Sequence, residues 1–156
     1  MGFQSPNQFF FVFGGSLGSK TLNILVRNNL QFLLKKYNVL HVSGKNDYNG
    51  KIKAVGYTEL KYLNDMSKGY SVADVVVSRC GANSAFEVLS LNIPAVFIPL
   101  PKGVSRGDQE LNAKYFESLN LCVVLHEPDI NNQKFLTAID TALNKKNKTK
   151  KNKKRK

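Results

Sequence analysis

The chain has 156 residues and a formal charge of +12, from 23 Lys+Arg against 11 Asp+Glu. The last twelve residues, Lys145 to Lys156 (KKNKTKKNKKRK), hold nine basic groups and no acid, which leaves 12 − 9 = +3 for residues 1–144. With a nearly balanced body and a basic tail, the overall charge is weak evidence for a nucleic-acid-binding fold, and no apolar run reaches the roughly 18–20 residues of a membrane span.

Short apolar runs alternate with helical patterns. Gln8–Phe13 (QFFFVF) reads as a buried strand that ends at Gly14-Gly15. Leu22, Leu25, Val26, Asn29, Leu30 and Leu33 then recur at helical spacing from Ser19, a fitting N-cap, to about Tyr37. Asn38–Val42 predicts a second strand and Lys51–Gly56 a weaker third. Leu60, Leu63, Met66 and Tyr70 mark a short helix. Asp74–Ser78 (DVVVS) is the clearest central strand, followed by a helix near Ala82–Leu91 and a strand at Pro94–Ile98. A helix at Asp108–Leu119, a strand at Leu121–Leu125 and a helix at Asn131–Leu143 complete the pattern.

This alternation predicts an α/β fold with a single Rossmann-like, doubly wound parallel sheet. Residues 1–7 form a lead, 8–144 the domain, and 145–156 a basic tail expected to be disordered, since like charges repel and no apolar residue can pack. The start, MGFQSPNQFF, has neither a basic lead nor a small-residue cleavage site, so no signal peptide is expected. Cys80 and Cys122 are too far apart for CxxC and suit a reducing cytoplasm. Two histidines in unrelated contexts and no DxD sequence predict no metal site.

Ligands in such sheets bind at the carboxyl ends of the strands. Gly14-Gly15-Ser16-Leu17-Gly18-Ser19 leads from strand to helix; it suits a phosphate held on helix N–H groups, or is simply a tight turn. It is neither a P-loop nor a clean GxGxxG. Arg79-Cys80-Gly81-Ala82-Asn83-Ser84 is a second such turn, in which Asn83 and Ser84 can cap the helix. Glu87 lies where a carboxylate could accept a ribose diol, or could only offset the helix dipole. Arg79 could meet an anion or pair with a nearby acid. Cys80 reads as a packing residue. Asp108, Gln109 and Asn112 open a third helix; they suit sugar hydroxyls, or form an Asp cap followed by a solvated face.

In this order, VFGGSLGS, SGK, DVVVSRCGANSAFE and PLPKGVSRGDQELNA resemble the C-terminal, donor-binding domain of the MurG family, the peptidoglycan N-acetylglucosaminyltransferases of glycosyltransferase family 28 that convert lipid I to lipid II. The resemblance covers most of residues 8–143. It implies half of a GT-B glycosyltransferase of inverting type, with UDP-N-acetylglucosamine as donor and no metal or other cofactor. Carried over by position, Gly14, Gly15, Ser16 and Gly18 would meet the diphosphate and Leu63 the uracil. Arg79, Gly81, Ala82, Asn83 and Ser84 would line the donor, Glu87 would hold the ribose, and Asp108, Gln109 and Asn112 would read the sugar.

The family's acceptor-binding half, with its own glycine-rich loop and the general base, has no counterpart here. The resemblance therefore implies a chain inactive alone, completed by a separate acceptor-binding domain or chain that brings the lipid-linked acceptor. The catalytic residues stay unassigned. A cytoplasmic protein, peripheral on the inner face of the membrane, follows from the same resemblance. The basic tail is compatible with an anionic membrane surface and predicts no specific nucleic-acid partner. A non-catalytic nucleotide-sugar-binding subunit is the alternative, and a nucleic-acid-binding protein acting through the tail is the rival of another class.

Overall fold

Three consecutive phenylalanines start the sheet because a strand buried on both faces takes large apolar side chains at every position. In the computed structural model, which describes residues 7–15, 18–103 and 106–154, this segment is β1 (Gln8–Phe13). Phe10, Phe11 and Val12 are completely buried. The chain divides between Ser78 and Arg79 into two compact units.

The first unit is a four-stranded parallel sheet. Its strands are β1, β2 (Tyr37–Val42), β3 (Tyr57–Leu60) and β4 (Val75–Ser78), in the order β3-β2-β1-β4. The order reverses at β1, so the loop after β1 opens at a topological switch point. Helix α1 (Lys20–Leu33) packs on β2 and buries Leu22, Val26, Leu30 and Leu33. Helix α2 (Met66–Val72) packs on β1 and carries Gly69, a poor helix former. A Cβ at Gly69 would collide with the Phe11 ring, so glycine is what lets α2 approach the sheet. Phe11, Phe13 and Tyr70 complete that aromatic layer. Asp74 fixes the β1–β4 register twice: its carboxylate accepts from Phe9 N at 2.7 Å and its N–H donates to Phe9 O at 2.9 Å.

The second unit holds α3 (Ala82–Ser90), β5 (Ala95–Phe97), α4 (Asp108–Ser118), β6 (Val123–Val124) and α5 (Asn132–Lys154), with a 3₁₀ turn at Glu127–Asp129. Strands β5 and β6 pair in parallel. Helix α5 packs on both and α4 on β6. Phe97, Val88, Phe116, Phe135 and Ile139 are the main core side chains.

Two expectations need correction. The third strand lies at Tyr57–Leu60 rather than Lys51–Gly56. The earlier segment turns, and Gly56 at φ +87° delivers the chain into the ladder, where its carbonyl accepts from Val39 N at 2.7 Å. The last helix does not stop at Leu143: its backbone continues to Lys154. Residues 132–154 contain neither proline nor glycine, and lysine is a good helix former. Like-charge neighbours cost only about 0.2–0.5 kcal/mol per pair.

Candidate functional site

In the first unit the glycine-rich loop is a close-packed turn. Gly15 and Gly18 have φ of +99° and +81°, and Gly18 N donates to Gly15 O at 3.1 Å. A side chain on Gly18 would strike the carbonyl oxygen of Ser43, so glycine there lets the loops after β1 and β2 touch. Gly14 is equally confined, by the backbone and Cβ of Ser19. Ser19 is nearly buried and accepts from Leu22 N at 3.4 Å, so its hydroxyl closes the start of α1. Ser16 lies outside the described residues. Leu63 is half-buried in the loop before α2, whose start is capped by Asp65 through Ser67 N at 3.0 Å.

A polar knot behind these loops escaped the sequence reading. His41 is completely buried; its Nε2 lies 2.7 Å from Asn23 Oδ1 and its Nδ1 2.9 Å from the Tyr57 hydroxyl. Asn23 Nδ2 donates to Ser43 O at 2.9 Å and Asp47 Oδ2 at 2.7 Å. Asn23 Oδ1 must therefore accept, which places the imidazole proton on Nε2 and makes Nδ1 the acceptor of the tyrosine proton. Burial drives the His41 pKa down to about 4, so the ring is neutral at pH 7. Arg27 bridges Asp47 Oδ2 at 3.1 Å and Glu59 Oε1 at 2.5 Å. The knot anchors residues 43–47, the loop against which Gly18 packs. Asn23, His41 and Tyr57 share no spacing in the sequence that would expose it.

The second unit is built differently. Helix α3 starts from Gly81 with no side-chain cap, so the N–H groups of Ala82, Asn83 and Ser84 precede the first helical hydrogen bond, Ala85 N to Gly81 O at 3.0 Å. Asn83 and Ser84 lie inside the helix and do not cap it. Asn83 and Glu87 are exposed, one turn apart. Helix α4 also starts from a glycine, Gly107 at φ +87°, with no side-chain cap; Asp108 is its first residue and not its cap.

Gln109 ties these starts together. Its Oε1 accepts from Cys80 N at 3.2 Å and Leu100 N at 3.0 Å. The two amide hydrogens on Nε2 are then the part of the side chain that can donate to a ligand. Asn112 Nδ2 donates to Cys80 O at 3.1 Å, so both polar groups of the Cys80 backbone are held by α4. Arg79 takes the second of its two expected roles: it pairs with Glu127 at 2.9 Å and donates to the carbonyls of Ile98 at 3.2 Å and Pro99 at 3.3 Å. Glu127 was not singled out in the sequence, where it stands 48 residues away without a motif. Burial pushes the Cys80 thiol up to about 12, which keeps it protonated and unreactive. Among the described residues no group of three or more His, Cys, Asp or Glu is placed to hold a metal ion.

A uniform surface does not look like this. Unpaired helix N–H groups, an exposed carboxylate one turn on and a tethered amide suit a ligand with a phosphate, a diol and further hydroxyls. The sequence pattern of the glycosyltransferase family 28 C-terminal domain matches residues 9–156, and the chain belongs to that family. It is 40% identical over 148 residues to the UDP-N-acetylglucosamine--N-acetylmuramyl-(pentapeptide) pyrophosphoryl-undecaprenol N-acetylglucosamine transferase of Clostridium botulinum (strain Alaska E43 / Type E3), covering 93% of this chain and 41% of that protein. It is 44% identical over 131 residues to the Clostridium kluyveri protein of the same name, covering 83% and 37%. The crystal structure of Acinetobacter baumannii MurG aligns with a TM-score of 0.73 at 27% identity, over 92% of this chain and 46% of that one. The calicheamicin glycosyltransferase CalG4 shares the fold alone, at TM-score 0.70 and 11% identity. The expected α/β fold and the MurG resemblance both stand. The chain spans about two fifths of the length of the curated relatives it matches.

Proposed function

We propose that this chain is the donor-binding half of an N-acetylglucosaminyltransferase, that it binds UDP-N-acetylglucosamine, and that the acceptor is lipid-linked. The observation that carries this reading is the pair of uncapped helix starts, α3 and α4, with Gln109 between them. The names of the curated relatives support the donor and the acceptor class. Residues 8–144 then act as the donor domain.

Cleavage of the bond from sugar to UDP leaves negative charge on the diphosphate. Preorganised N–H donors stabilise such charge as it develops, without rearrangement during reaction. In the second unit the α3 start (Gly81, Ala82, Asn83, Ser84) is proposed for that role; for the first unit, the family resemblance assigns the glycine loop with Ser16 to the diphosphate and Leu63 to the uracil. Glu87 accepts from the ribose hydroxyls. Asp108 and Gln109 read the N-acetylglucosamine, with Asn112 fixing the loop beneath. Arg79 supports the site from behind, since its guanidinium is engaged with Glu127.

The share of the relatives' length that this chain covers supports a division of labour: acceptor binding and the general base come from a further domain or chain. The family and the basic tail together support work at the cytoplasmic face of an anionic membrane. Titration with UDP-N-acetylglucosamine in a calorimeter tests the core of the reading. Saturable heat, competed by UDP, is expected, without turnover of a lipid-linked acceptor by this chain alone. No heat at millimolar donor would sink the binding claim, and turnover would sink the division of labour.

A further inference from the structure

We propose that Glu127, through Arg79, is a positioning residue that sets the geometry of the donor site; the proposal rests on the donor-binding reading above. The 3₁₀ turn at Glu127–Asp129 contributes nothing else to the proposed site. Its carboxylate nevertheless reaches a buried guanidinium that grips two successive carbonyls, those of Ile98 and Pro99. The next residue, Leu100, gives its N–H to Gln109, and so does Cys80, which follows Arg79 in the chain.

Five hydrogen bonds therefore hold two loops as one piece. Arg79 fixes the carbonyl side of residues 98–99. Gln109 fixes the N–H groups of Leu100 and Cys80, and Asn112 fixes the Cys80 carbonyl. The α3 start emerges directly from this assembly at Gly81, and α4 enters it at Gln109. A guanidinium with side-chain exposure of only 9% is held where a carboxylate meets it, and Glu127, at 26%, is one such partner at 2.9 Å. Removing the Glu127 charge weakens the hold on the guanidinium, and with it the grip on the Ile98 and Pro99 carbonyls and the alignment of Gln109.

The same 156-residue chain serves for the test. Glu127→Gln should weaken UDP-N-acetylglucosamine binding about tenfold in calorimetry, the value of one or two misaligned hydrogen bonds, and speed hydrogen exchange at the Leu100 and Cys80 amides. A purely structural pair would do the same through instability, so a second variant decides. Replacing both partners by apolar residues, Arg79→Met with Glu127→Leu, should recover part of the melting temperature lost in Glu127→Gln, because buried ion pairs are often dispensable for stability while the two carbonyls lose a donor. Donor affinity should stay low, since methionine cannot hold the two carbonyls. Recovery of affinity together with stability would overturn the proposal.

If the double variant does not fold, Glu127→Asp takes its place. It keeps the charge and the stability but withdraws the carboxylate by one methylene, and unchanged donor affinity would overturn the proposal. Absence of donor binding by the parent chain overturns the donor reading and the positioning role with it; that failure is distinct because it precedes any substitution.

Discussion

Helices α1, α2 and α5 begin with a side chain folded back on the first turn: Ser19, Asp65 and Asn131 accept from Leu22, Ser67 and Lys134. Helices α3 and α4 begin with glycines that have no side chain to fold back. A capped start places a protein oxygen where an anion would otherwise sit. Both bare starts lie at loops that carry the family's sequence pattern; of the capped ones, only that of α1 does, beside the glycine loop. The strand ends repeat the contrast. The loop after β2 is anchored by a buried knot of His41, Asn23, Tyr57, Arg27 and Asp47, whereas the loop after β4 ends in N–H groups without a helical partner. Closed regions should govern stability and open ones binding.

Closing an open start gives the largest expected effect. Gly81 has an ordinary φ of −66°, and a Cβ there meets nothing within 4 Å, so Gly81→Asp should fold normally. Its carboxylate would cap α3 and repel the diphosphate. UDP affinity should fall about a hundredfold, the size of one like-charge contact near a protein surface. Thermal stability should hold or rise by about a few tenths of a kcal/mol. Unchanged UDP affinity in calorimetry would remove the α3 start from the site.

The closed knot predicts the opposite signature. His41 has its folded pKa lowered from 6.5 to about 4, so the unfolded chain binds more protons between those values and stability falls as pH falls through that window. Urea unfolding at pH 5 should give about 2 kcal/mol less than at pH 7.5 from this group alone. His41→Asn should flatten that slope at some cost in stability. A slope that survives the substitution would place its source elsewhere. Next in size is Gln109→Ala, which should weaken UDP-N-acetylglucosamine about tenfold, the value of one or two hydrogen bonds. UDP alone should also lose some affinity, because the same side chain holds Cys80 and Leu100. Equal losses for the two ligands would make Gln109 a brace without a sugar contact.

The fold was legible because its signals are local. A run such as QFFFVF before two glycines needs no tertiary information to read as a buried strand, and the loop motifs sit beside the elements that carry them. What was missed joins distant residues. Arg79 was open to two readings, and the acid that chooses between them sits in a turn after β6. His41 stood in the sequence as one of two histidines in unrelated contexts, and nothing paired it with Asn23 and Tyr57. Gln109 was legible as a polar group on a helix start; that its oxygen is already engaged, leaving only its amide hydrogens, depends on two backbone N–H groups that sequence cannot place. The end of the last helix differs for another reason: the apolar periodicity stops at Leu143, but lysine is a good helix former and no proline or glycine follows Asn132 to stop the backbone.

The smallest effect tests the closed side at its weakest point. The bond from Leu22 N to Ser19 Oγ is long at 3.4 Å, and Ser19 sits beside the glycine loop, so it is the cap most open to a second role. If it only closes α1, Ser19→Ala should cost about 1 kcal/mol of stability, the usual value of an N-cap. UDP affinity should then stay within about twofold, because no donor aimed at the ligand has been lost. If the hydroxyl instead turns to the diphosphate when donor is bound, the balance reverses: stability hardly moves and UDP affinity falls. Measuring the melting temperature with and without UDP separates the two, since a cap shifts both curves equally and a ligand contact shifts only the liganded one.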